Sequence, residues 1–265
     1  MFDLHSHILP AIDDGAQTME ETLAMLQIAV DCGTDVIIAT PHVIEGVWLP
    51  EWEEIVTGCH ELTQAMEAAG IGPLAICPGA EVALNMDILA RIPGPGQYCI
   101  NSSQYMLIEL PATHIPQFAD EFFFTLQARG ITPIVAHPER HPELGRNPHI
   151  LLDWINKGIL AQINGTSITG RMGERIMKTA ELFLTNGMAH VIGSDAHSPH
   201  HRTPRLTETK AKLHKLVGKD YATQLLITTP HAIINNEYIP IREIHHIRHP
   251  QKPKIYQRFF ATIFG

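Results

Sequence analysis

The amino-acid sequence predicts an α/β protein, a parallel (β/α) barrel of seven strands, from three observations. Short apolar runs alternate with helical stretches, as expected for parallel strands that are buried on both faces. Histidines and carboxylates recur where the apolar runs end, at positions 7, 42, 81, 109, 137 and 195. These positions lie 35, 39, 28, 28 and 58 residues apart, and a strand, a helix and two loops fill roughly 30 residues, so the chain repeats with the period of a βα unit.

The predicted strands are short and mostly apolar. They cover residues 2–5, 35–40, 75–79, 105–109, 133–137, 159–163 and 189–193. A chain of 265 residues with 45% hydrophobic and 18% charged residues suits one compact barrel, because this architecture occupies about 200 to 250 residues. We therefore expect a barrel over residues 1–241 and a separate C-terminal tail over residues 242–265.

Helices are predicted between most of the strands. The first begins at Thr18 with a capping-box pattern that includes Glu21, and it ends at Gly33. The others are expected over residues 51–69, 116–129, 148–157 and 173–186. The sixth strand ends at Asn164, where we favour a simple chain turn over substrate binding.

Charge balance and cysteine usage narrow the class of protein. A formal net charge of -9 argues against a general nucleic-acid surface, which needs clustered Lys and Arg. The N-terminal segment has no basic stretch followed by a long apolar run, so we expect a cytoplasmic protein without a signal peptide or spanning helix. Four widely spaced cysteines without a C-x-x-C pair are expected to be reduced core thiols: Cys32, Cys59, Cys77 and Cys99.

In a parallel barrel, the side chains at the C-terminal strand ends meet at one rim, where such folds carry their chemistry. Nine potential metal ligands are predicted at this rim: His5, His7, Asp14, His42, Glu81, Glu109, His137, Asp195 and His197. Each residue alone would more often be a hydrogen-bonded loop histidine or a paired carboxylate. Together they would repel one another without cations, so we expect a metal site.

The charges and ligand types predict the kind of metal site. Four ionised carboxylates and five neutral imidazoles carry a charge of -4, and three divalent cations would bring the cluster to +2, which suits a phosphate dianion. Nitrogen and oxygen ligands without thiolate favour manganese, iron, cobalt or zinc over calcium or magnesium. Ligand type does not choose among these four metals.

Five motifs occur in an order that resembles a known family. They are His5-Ser6-His7-Ile8-Leu9-Pro10 with Asp13-Asp14-Gly15, Thr40-Pro41-His42, Pro78-Gly79-Ala80-Glu81, His137-Pro138-Glu139-Arg140 and Ser194-Asp195-Ala196-His197. Over residues 1–240, approximately, the chain resembles the polymerase-and-histidinol-phosphatase (PHP) superfamily. Within it, the chain is most similar to the bacterial tyrosine phosphatases that are encoded with capsule and exopolysaccharide genes.

The resemblance implies a distorted barrel, the PHP fold, with a centre of three divalent metal ions, of which manganese is our first expectation. It assigns one ion to His5, His7, Glu81 and Asp195. A second ion would be held by Glu81, Glu109 and His137, with Glu81 as a bridge. The third would be held by Asp14, His42 and His197.

The resemblance also assigns phosphate binding to two arginines above the rim. Arg140 follows the fifth-strand histidine by three residues and Arg202 follows His197 by five, and a planar guanidinium matches phosphate oxygens. The alternatives are that Arg140 pairs with a nearby glutamate, and that Arg202 is a solvated loop charge whose place Arg205 could take.

The predicted chemistry is hydrolysis of phosphotyrosine on a protein. A hydroxide that bridges two metals would attack phosphorus in line, while the metals and the two arginines stabilise the equatorial oxygens. A tyrosine leaving group has a pKa of about 10 and therefore needs less protonation than an alkyl alcohol. If an acid is used, His42 and His197 are the candidates, and the sequence does not choose between them.

Other function classes stay open at this point. A cysteine-dependent tyrosine phosphatase would carry Arg six residues after its cysteine, and this route is disfavoured because the four positions hold Ile38, Ala65, Ala83 and Tyr105. A small-molecule phosphatase such as a histidinol phosphatase, a phosphodiesterase and a non-catalytic metal-stabilised module remain as alternatives. For the favoured function, the expected substrate is a cognate, membrane-associated bacterial tyrosine kinase.

Two further features concern partners. Trp48, in the loop after His42, is expected near the rim, where it would either flank the phosphotyrosine ring or plug the barrel. The tail changes character, because residues 244–265 contain no acid, four Lys or Arg and four interleaved aromatic residues. We expect it to dock on the barrel or on another subunit of a homo-oligomer, with contact to an anionic membrane surface as the alternative.

Overall fold

We describe the fold from a computed structural model, which covers residues 1–241 and 243–248 of the chain. Within these residues, nine strands are present: β1 (Phe2–Ser6), β2 (Val36–Ala39), β3 (His42–Val43), β4 (Ala75–Pro78), β5 (Glu81–Ala83), β6 (Tyr105–Glu109), β7 (Thr132–Ala136), β8 (Leu160–Asn164) and β9 (Val191–Gly193). The same residues form ten α-helices: α1 (Met19–Asp31), α2 (Trp52–Ala68), α3 (Ala119–Ala128), α4 (Pro142–Arg146), α5 (His149–Asn156), α6 (Gly165–Thr169), α7 (Glu174–Thr185), α8 (Thr207–Val217), α9 (Lys219–Thr223) and α10 (Thr229–Ile234).

All strand pairs are parallel, and the strands follow one another in chain order around a curled sheet. β1 pairs with β2 and β2 with β4, while β3, β5, β6, β7, β8 and β9 pair in that order. A parallel bridge between Ser6 and Ala196 brings the chain after β9 back beside β1. There, the Asp195 N–H donates to the His5 carbonyl oxygen at 2.8 Å. The α/β barrel prediction is therefore confirmed.

The seven predicted strands are all present, and the second and third are each followed by a further short strand that was not predicted. β2 is followed by β3 after Pro41, which has no N–H to donate to the ladder. β4 is followed by β5 after Gly79, where a Cβ would lie 2.9 Å from Ile38 Cγ2, so that only glycine fits without movement. Each break comes just before a predicted metal ligand.

The predicted helices are present, with small changes at their ends. The Thr18 hydroxyl accepts a hydrogen bond from the Glu21 N–H at 3.3 Å and caps α1 as predicted. The Glu21 carboxylate, however, accepts from the Gln17 N–H at 2.8 Å instead of from Thr18, so the predicted capping box is incomplete. α2 begins with a capping box between Glu51 and Glu54.

α4, α6, α8, α9 and α10 have no counterpart among the predicted helices. In α8, the longest of them, only Thr209 and Leu213 are buried. It packs over α6, where a Cβ on Gly165 would lie 2.7 Å from Thr209 Oγ1.

Along single strand faces, the buried residues change from apolar to polar toward the C-terminal end. Leu160, Gln162 and Asn164 share one face of β8 because side chains alternate along a strand. Leu160 belongs to an apolar cluster, whereas Gln162 and Asn164 join a network of polar side chains. Leu107 and Glu109 of β6 show the same change. The polar side chains at the C-terminal strand ends therefore lie above a layer of buried apolar side chains.

The C-terminal tail was predicted over residues 242–265, of which residues 242 and 249–265 lie outside the described part of the chain. In the described part, Asn156 at the end of α5 exchanges two hydrogen bonds with the backbone of Ile244, at 3.1 and 3.2 Å. Asn186, after α7, does the same with Arg248, at 3.0 and 2.6 Å. Residues 243–248 are therefore docked on the barrel. None of the described helices is both long and apolar enough to cross a membrane.

Candidate metal centre

The nine predicted ligands lie around one pocket at the C-terminal ends of the strands. Three overlapping groups have ligand atoms that all lie within 4.8 Å of one another. They are His7, Asp14, His42 and His197; His5, His7 and Glu81; and His42, Glu81 and Glu109. His137 joins them through Glu81, and Asp195 joins them through His5. The structure therefore brings all nine residues together.

The deepest group consists of His5, His7 and Glu81. The two Nε2 atoms of His5 and His7 lie 3.1 Å apart, and each lies 3.2 Å from Glu81 Oε2. Ligand bonds of about 2.1 Å that meet at right or tetrahedral angles separate neighbouring ligand atoms by about 3 Å. The three atoms therefore have the spacing of one face of a metal coordination shell. Asp195 Oδ1 lies next to this face, 3.5 Å from His5 Nε2.

The outer group is centred on Asp14. Its Oδ1 lies 3.4 Å from His42 Nε2 and 3.4 Å from His197 Nε2. The Asp14 side chain is 46% exposed, whereas the two histidines are nearly buried. An ion in this group would therefore face the solvent on the Asp14 side.

The third group, His42 with Glu81 and Glu109, differs from the partition that the family resemblance implies, in which His137 joins these two glutamates. In the structure, His137 Nε2 lies 2.9 Å from Glu81 Oε1 and 3.7 Å from Glu109 Oε1. His42 approaches the same two glutamates, with its Nδ1 at 3.2 Å from Glu81 Oε2 and 3.7 Å from Glu109 Oε2. Both histidines are thus near both carboxylates, and Glu81 is central to the whole pocket.

Unpaired buried atoms show that these residues fit divalent cations. Four ligand atoms are buried without a hydrogen-bond partner: His42 Nδ1, Glu81 Oε2, Asp195 Oδ1 and His197 Nε2. Leaving a buried polar atom unpaired costs roughly 1 to 3 kcal/mol, so such atoms are uncommon unless they serve a site. Among the described residues, these are four of eight buried side-chain atoms without a hydrogen-bond partner, and a coordinated cation would satisfy each of the four.

Residues behind the ligands fix their orientation. Asp13 Oδ2 lies 2.7 Å from His7 Nδ1 and accepts the His42 N–H at 2.9 Å, while its Oδ1 accepts the Gly15 N–H at 2.8 Å. Carboxylates that hold the second nitrogen of a ligating histidine are typical of metal sites. Asp13 occurs in one of the five motifs, but no role was predicted for it. Its spacing two residues before Gly15, in a tight loop, was the available signal.

Two amide side chains were also missed as parts of the site. Gln162 Oε1 lies 3.0 Å from His5 Nδ1, and Asn164 Nδ2 donates to Asp195 Oδ2 at 2.6 Å. At Asn164 a simple turn was favoured, and the structure shows a buried side chain that contacts a predicted ligand. Two polar residues on the buried face of an otherwise apolar strand were the signal that could have found them.

Two of the predicted ligands have left-handed backbone conformations. His137 has φ 32° and Asp195 has φ 54°. Such conformations cost about 1 to 3 kcal/mol for a non-glycine residue, and they cluster at functional sites. They allow the chain to turn sharply at the ends of β7 and β9 while the two side chains still point into the pocket.

Crowding of charges shifts the pKa values in the pocket. Burial alone would lower the pKa of His7, but the hydrogen bonds to Asp13 and Glu81 raise it to about 10. Burial and the nearby Glu81 raise the pKa of Glu109 to about 7. Burial lowers the pKa of His42, and burial and His7 lower that of His197 to about 3. The last two imidazoles are therefore neutral near pH 7, which is the form that binds metal.

Both predicted arginines reach the pocket. Arg140 Nη1 donates to Asp195 Oδ2 at 2.8 Å, and Arg202 Nη2 contacts Asp195 Oδ1 without hydrogen-bond alignment. Arg140 therefore pairs with Asp195 and not with a neighbouring glutamate. Arg205 Nη1 instead lies near Cys32 Sγ, at 4.0 Å.

Trp48 lies beside the ligand His42. The two rings are stacked, with centroids 5.4 Å apart and planes at 13°. The side chain is partly exposed, so one aromatic surface remains at the mouth of the pocket. Trp52, in contrast, packs edge-on against Tyr98 in the core.

The cysteines are free thiols, as predicted. Burial raises the pKa of Cys59 and of Cys99 to about 12, so neither is a thiolate at neutral pH. Burial also raises the pKa of Cys77.

The chain is similar in sequence to known bacterial proteins. Residues 1–235 match the profile of the family described as capsular polysaccharide synthesis, CpsB/CapC. The chain is 30% identical over 261 residues to the tyrosine-protein phosphatase YwqE of Bacillus subtilis, covering 98% of this chain and 99% of that protein. It is 35% identical over 198 residues to the putative tyrosine-protein phosphatase CapC of Staphylococcus aureus, covering 75% and 77% of the two chains.

A solved structure extends these similarities to the fold. This crystal structure is one of those described for YwqE from Bacillus subtilis and CpsB from Streptococcus pneumoniae, which are called unique metal-dependent tyrosine phosphatases. It superimposes with a TM-score of 0.86 and 30% sequence identity, covering 94% of this chain and 100% of that chain.

Proposed function

Because the chain belongs to the CpsB/CapC family of capsular polysaccharide synthesis and is a metal-dependent tyrosine phosphatase, we propose that it removes phosphate from phosphotyrosine on a bacterial tyrosine kinase. One observation carries the chemistry. The nine side chains converge on one pocket in which four buried ligand atoms lack a hydrogen-bond partner. Such a pocket is suited to cations and, through them, to a phosphate dianion.

We assign three divalent ions to the pocket, with manganese first and iron, cobalt or zinc as alternatives. His5, His7, Glu81 and Asp195 would hold the deep ion. Glu81, Glu109 and His137 would hold a second, and Asp14, His42 and His197 would hold a third. Bound divalent cations lower the pKa of coordinated water and supply a nucleophile at neutral pH.

Arg140 and Arg202 bind the phosphoryl oxygens in this proposal. Both lie at the mouth of the pocket on the two oxygens of Asp195, and each guanidinium has five N–H donors, more than Asp195 engages. Their positive charges stabilise the negative charge that builds up on the equatorial oxygens as the phosphate is transferred. A tyrosinate leaving group, with a pKa of about 10, needs little protonation.

His42 and His197 act in this proposal as metal ligands. The sequence left them as candidates for a general acid, but an acid must carry a proton at the working pH. Their lowered pKa values make both imidazoles neutral near pH 7. The Nε2 atoms of both rings lie 3.4 Å from Asp14 Oδ1, where they can coordinate the ion assigned to Asp14.

Trp48 supplies the aryl selectivity. Its ring is already stacked on His42, so a phosphotyrosine ring that enters beside His42 meets an aromatic surface. Aromatic contacts of this kind are worth about 0.5 to 1.5 kcal/mol beyond burial. An alkyl phosphate would lack this contact.

The biological setting is the regulation of capsule or exopolysaccharide synthesis in the cytoplasm, near a membrane-associated kinase. In this proposal the phosphatase is the barrel of residues 1–241. Residues 242–265 are assigned to a tail, and the contacts of Ile244 and Arg248 support docking of its described part, residues 243–248, on the barrel. Association of the tail with another subunit is the alternative to be tested by the mass in solution.

The experiment measures metal content and turnover on one sample of purified protein. We expect bound divalent ions and rapid hydrolysis of a phosphotyrosine peptide, with slow hydrolysis of a phosphoserine peptide and of histidinol phosphate. Chelation should abolish the activity, manganese should restore it, and thiol alkylation should leave it unchanged. Activity that is lost on alkylation and insensitive to chelators would overturn the proposal. The kinase is tested with the organism's own autophosphorylated tyrosine kinase as the substrate.

A further inference from the structure

Two buried amides connect a histidine and a carboxylate that line the same part of the metal pocket. Gln162 and Asn164 lie on one face of β8, with exposures of 0% and 1%. His5 Nδ1 lies 3.0 Å from Gln162 Oε1, Gln162 Nε2 donates to Asn164 Oδ1 at 2.8 Å, and Asn164 Nδ2 donates to Asp195 Oδ2 at 2.6 Å. The four side chains form one continuous hydrogen-bonded chain.

The direction of this chain is fixed by a backbone group. The His137 N–H points at Gln162 Oε1 over 3.3 Å, and a backbone N–H can only donate. The Gln162 oxygen must therefore face His137 and His5, and its NH₂ group must face Asn164. Asn164 then has to present its oxygen to Gln162 and its NH₂ group to Asp195. Neither amide can be reversed without placing two donors or two acceptors against each other.

The fixed direction selects the tautomer of His5. Because Nδ1 faces an acceptor oxygen, it carries the proton, and the lone pair of the neutral ring lies on Nε2. Nε2 is the atom that faces His7 Nε2 at 3.1 Å and Glu81 Oε2 at 3.2 Å. Gln162 thus orients the ring of His5 so that its metal-binding nitrogen, Nε2, points toward His7 and Glu81.

The same chain orients Asp195. Its Oδ2 accepts from Asn164 Nδ2 and from Arg140 Nη1, while its Oδ1, which the Arg202 guanidinium contacts, has no aligned hydrogen bond and lies 3.5 Å from His5 Nε2. Asn164 therefore holds one carboxylate oxygen and directs the other, beside Arg202, toward the cation that His5 also faces.

We propose that Gln162 and Asn164 are positioning residues that preset His5 and Asp195 for one shared divalent cation. This inference rests on the proposed metal site and adds two residues behind it. It requires the amides to act on metal affinity and not only on folding. Loss of outer hydrogen-bond partners of metal ligands costs typically about 10- to 100-fold in affinity.

The decisive variants are Asn164→Asp and Gln162→Glu, which keep the shape of each side chain. In Asn164→Asp, a carboxylate oxygen replaces the NH₂ group 2.6 Å from Asp195 Oδ2. In Gln162→Glu, Asn164 must turn over to meet the new oxygen and then presents its own oxygen to Asp195. Asn147→Asp, at an exposed position, is the matched control for the added charge.

The probe is Mn²⁺ alone, titrated into chelator-treated protein and followed by the electron paramagnetic resonance signal of free Mn²⁺. We expect both variants to bind the tightest Mn²⁺ about 10- to 100-fold more weakly than the wild type, with Asn147→Asp unchanged. Thermal unfolding with and without Mn²⁺ separates the roles. The added buried carboxylate destabilises both variants in chelator, and a positioning role predicts in addition a smaller stabilisation by Mn²⁺ than in the wild type.

Two results would overturn the inference. One is wild-type Mn²⁺ affinity in a folded Asn164→Asp or Gln162→Glu variant. The other is an equal loss of stability with and without Mn²⁺, which would mark the amides as purely structural. Wild-type protein that binds Mn²⁺ but does not hydrolyse phosphotyrosine would contradict the proposed function alone, because the Mn²⁺ titration does not depend on turnover.

Discussion

The metal pocket has a deep half and an outer half that are built differently. The side chains of His5, His7 and Glu81 are at most 1% exposed, whereas those of Asp14 and Glu109 are 46% and 27% exposed. The deep histidines are held from behind by Asp13 and Gln162. Among the described residues, no hydrogen-bond partner holds the carboxylates of Asp14 and Glu109, which meet histidines only at 3.4 to 3.7 Å.

This difference indicates a division of labour within one site. The deep half is preorganised, so its ligands should set how tightly metal binds. The outer half has room to adjust when phosphate and an aryl ring arrive, so its residues should affect substrate binding and pH response more than metal content. Four predictions test this contrast, in order of decreasing effect.

The largest effect is expected from Glu81→Gln, in the deep half. Glu81 lies within 3.2 Å of His5, His7, His42 and His137, so it is shared by more ligands than any of its neighbours. We expect loss of bound metal and a loss of turnover well beyond the roughly 100-fold that an outer partner can cost. Metal analysis and phosphotyrosine turnover check this, with the exposed Glu121→Gln as the control. Full metal content in Glu81→Gln would contradict the assignment of the deep half.

A smaller effect is expected from Asp13→Asn, which weakens the hold on His7. An amide offers one acceptor oxygen where the carboxylate accepts from His7, His42 and Gly15. We predict Mn²⁺ binding weaker by about 10- to 100-fold with the fold retained. The exposed Asp87→Asn serves as the control for loss of a negative charge. Unchanged affinity would show that the deep half does not depend on its outer partners.

A modest effect is expected from Trp48→Ala, in the outer half. Removing the aromatic surface should raise KM for a phosphotyrosine peptide by about 2- to 10-fold and leave metal content unchanged. Trp48→Phe should retain most of the wild-type KM. Steady-state kinetics compares the phosphotyrosine peptide with an alkyl phosphate. An equal rise of KM for both substrates would contradict a contact between Trp48 and the aryl ring.

The smallest effect is a pH dependence in the metal-free protein. Burial and Glu81 raise the pKa of Glu109 from 4.5 to about 7. Since the folded state then holds the proton more tightly than the unfolded chain, the contribution of Glu109 to stability is full below pH 4.5 and is lost as the pH rises through about 7. Glu109→Gln should lack this decline.

Urea unfolding in chelator at pH 5, 6, 7 and 8 checks that sign. The stability of the wild type should fall relative to Glu109→Gln as the pH rises. A constant difference between the two proteins across this range would show that Glu109 is not forced into the pocket beside Glu81.

Much of the fold could be predicted because each signal is local. The strands are short apolar runs, and the predicted ligands other than Asp14 lie near a strand end, as with His42 after β2 and Glu109 at the end of β6. The family resemblance added the grouping of ligands. Helix α8 was not predicted, because it buries only Thr209 and Leu213 and is otherwise largely polar.

The sequence by itself determined the kinds of ligand, their order and their placement at one rim, because strand ends in a parallel barrel must meet. Only the tertiary structure decided how those ligands are aimed. The hydrogen bonds from His5 to Gln162 and from Asn164 to Asp195 join residues 157 and 31 positions apart in the chain. Arg202 faces Asp195 while Arg205 turns toward Cys32. The physical reason is that the orientation of a side chain depends on which groups meet it in space, and the spacing of residues along the chain does not show which groups meet.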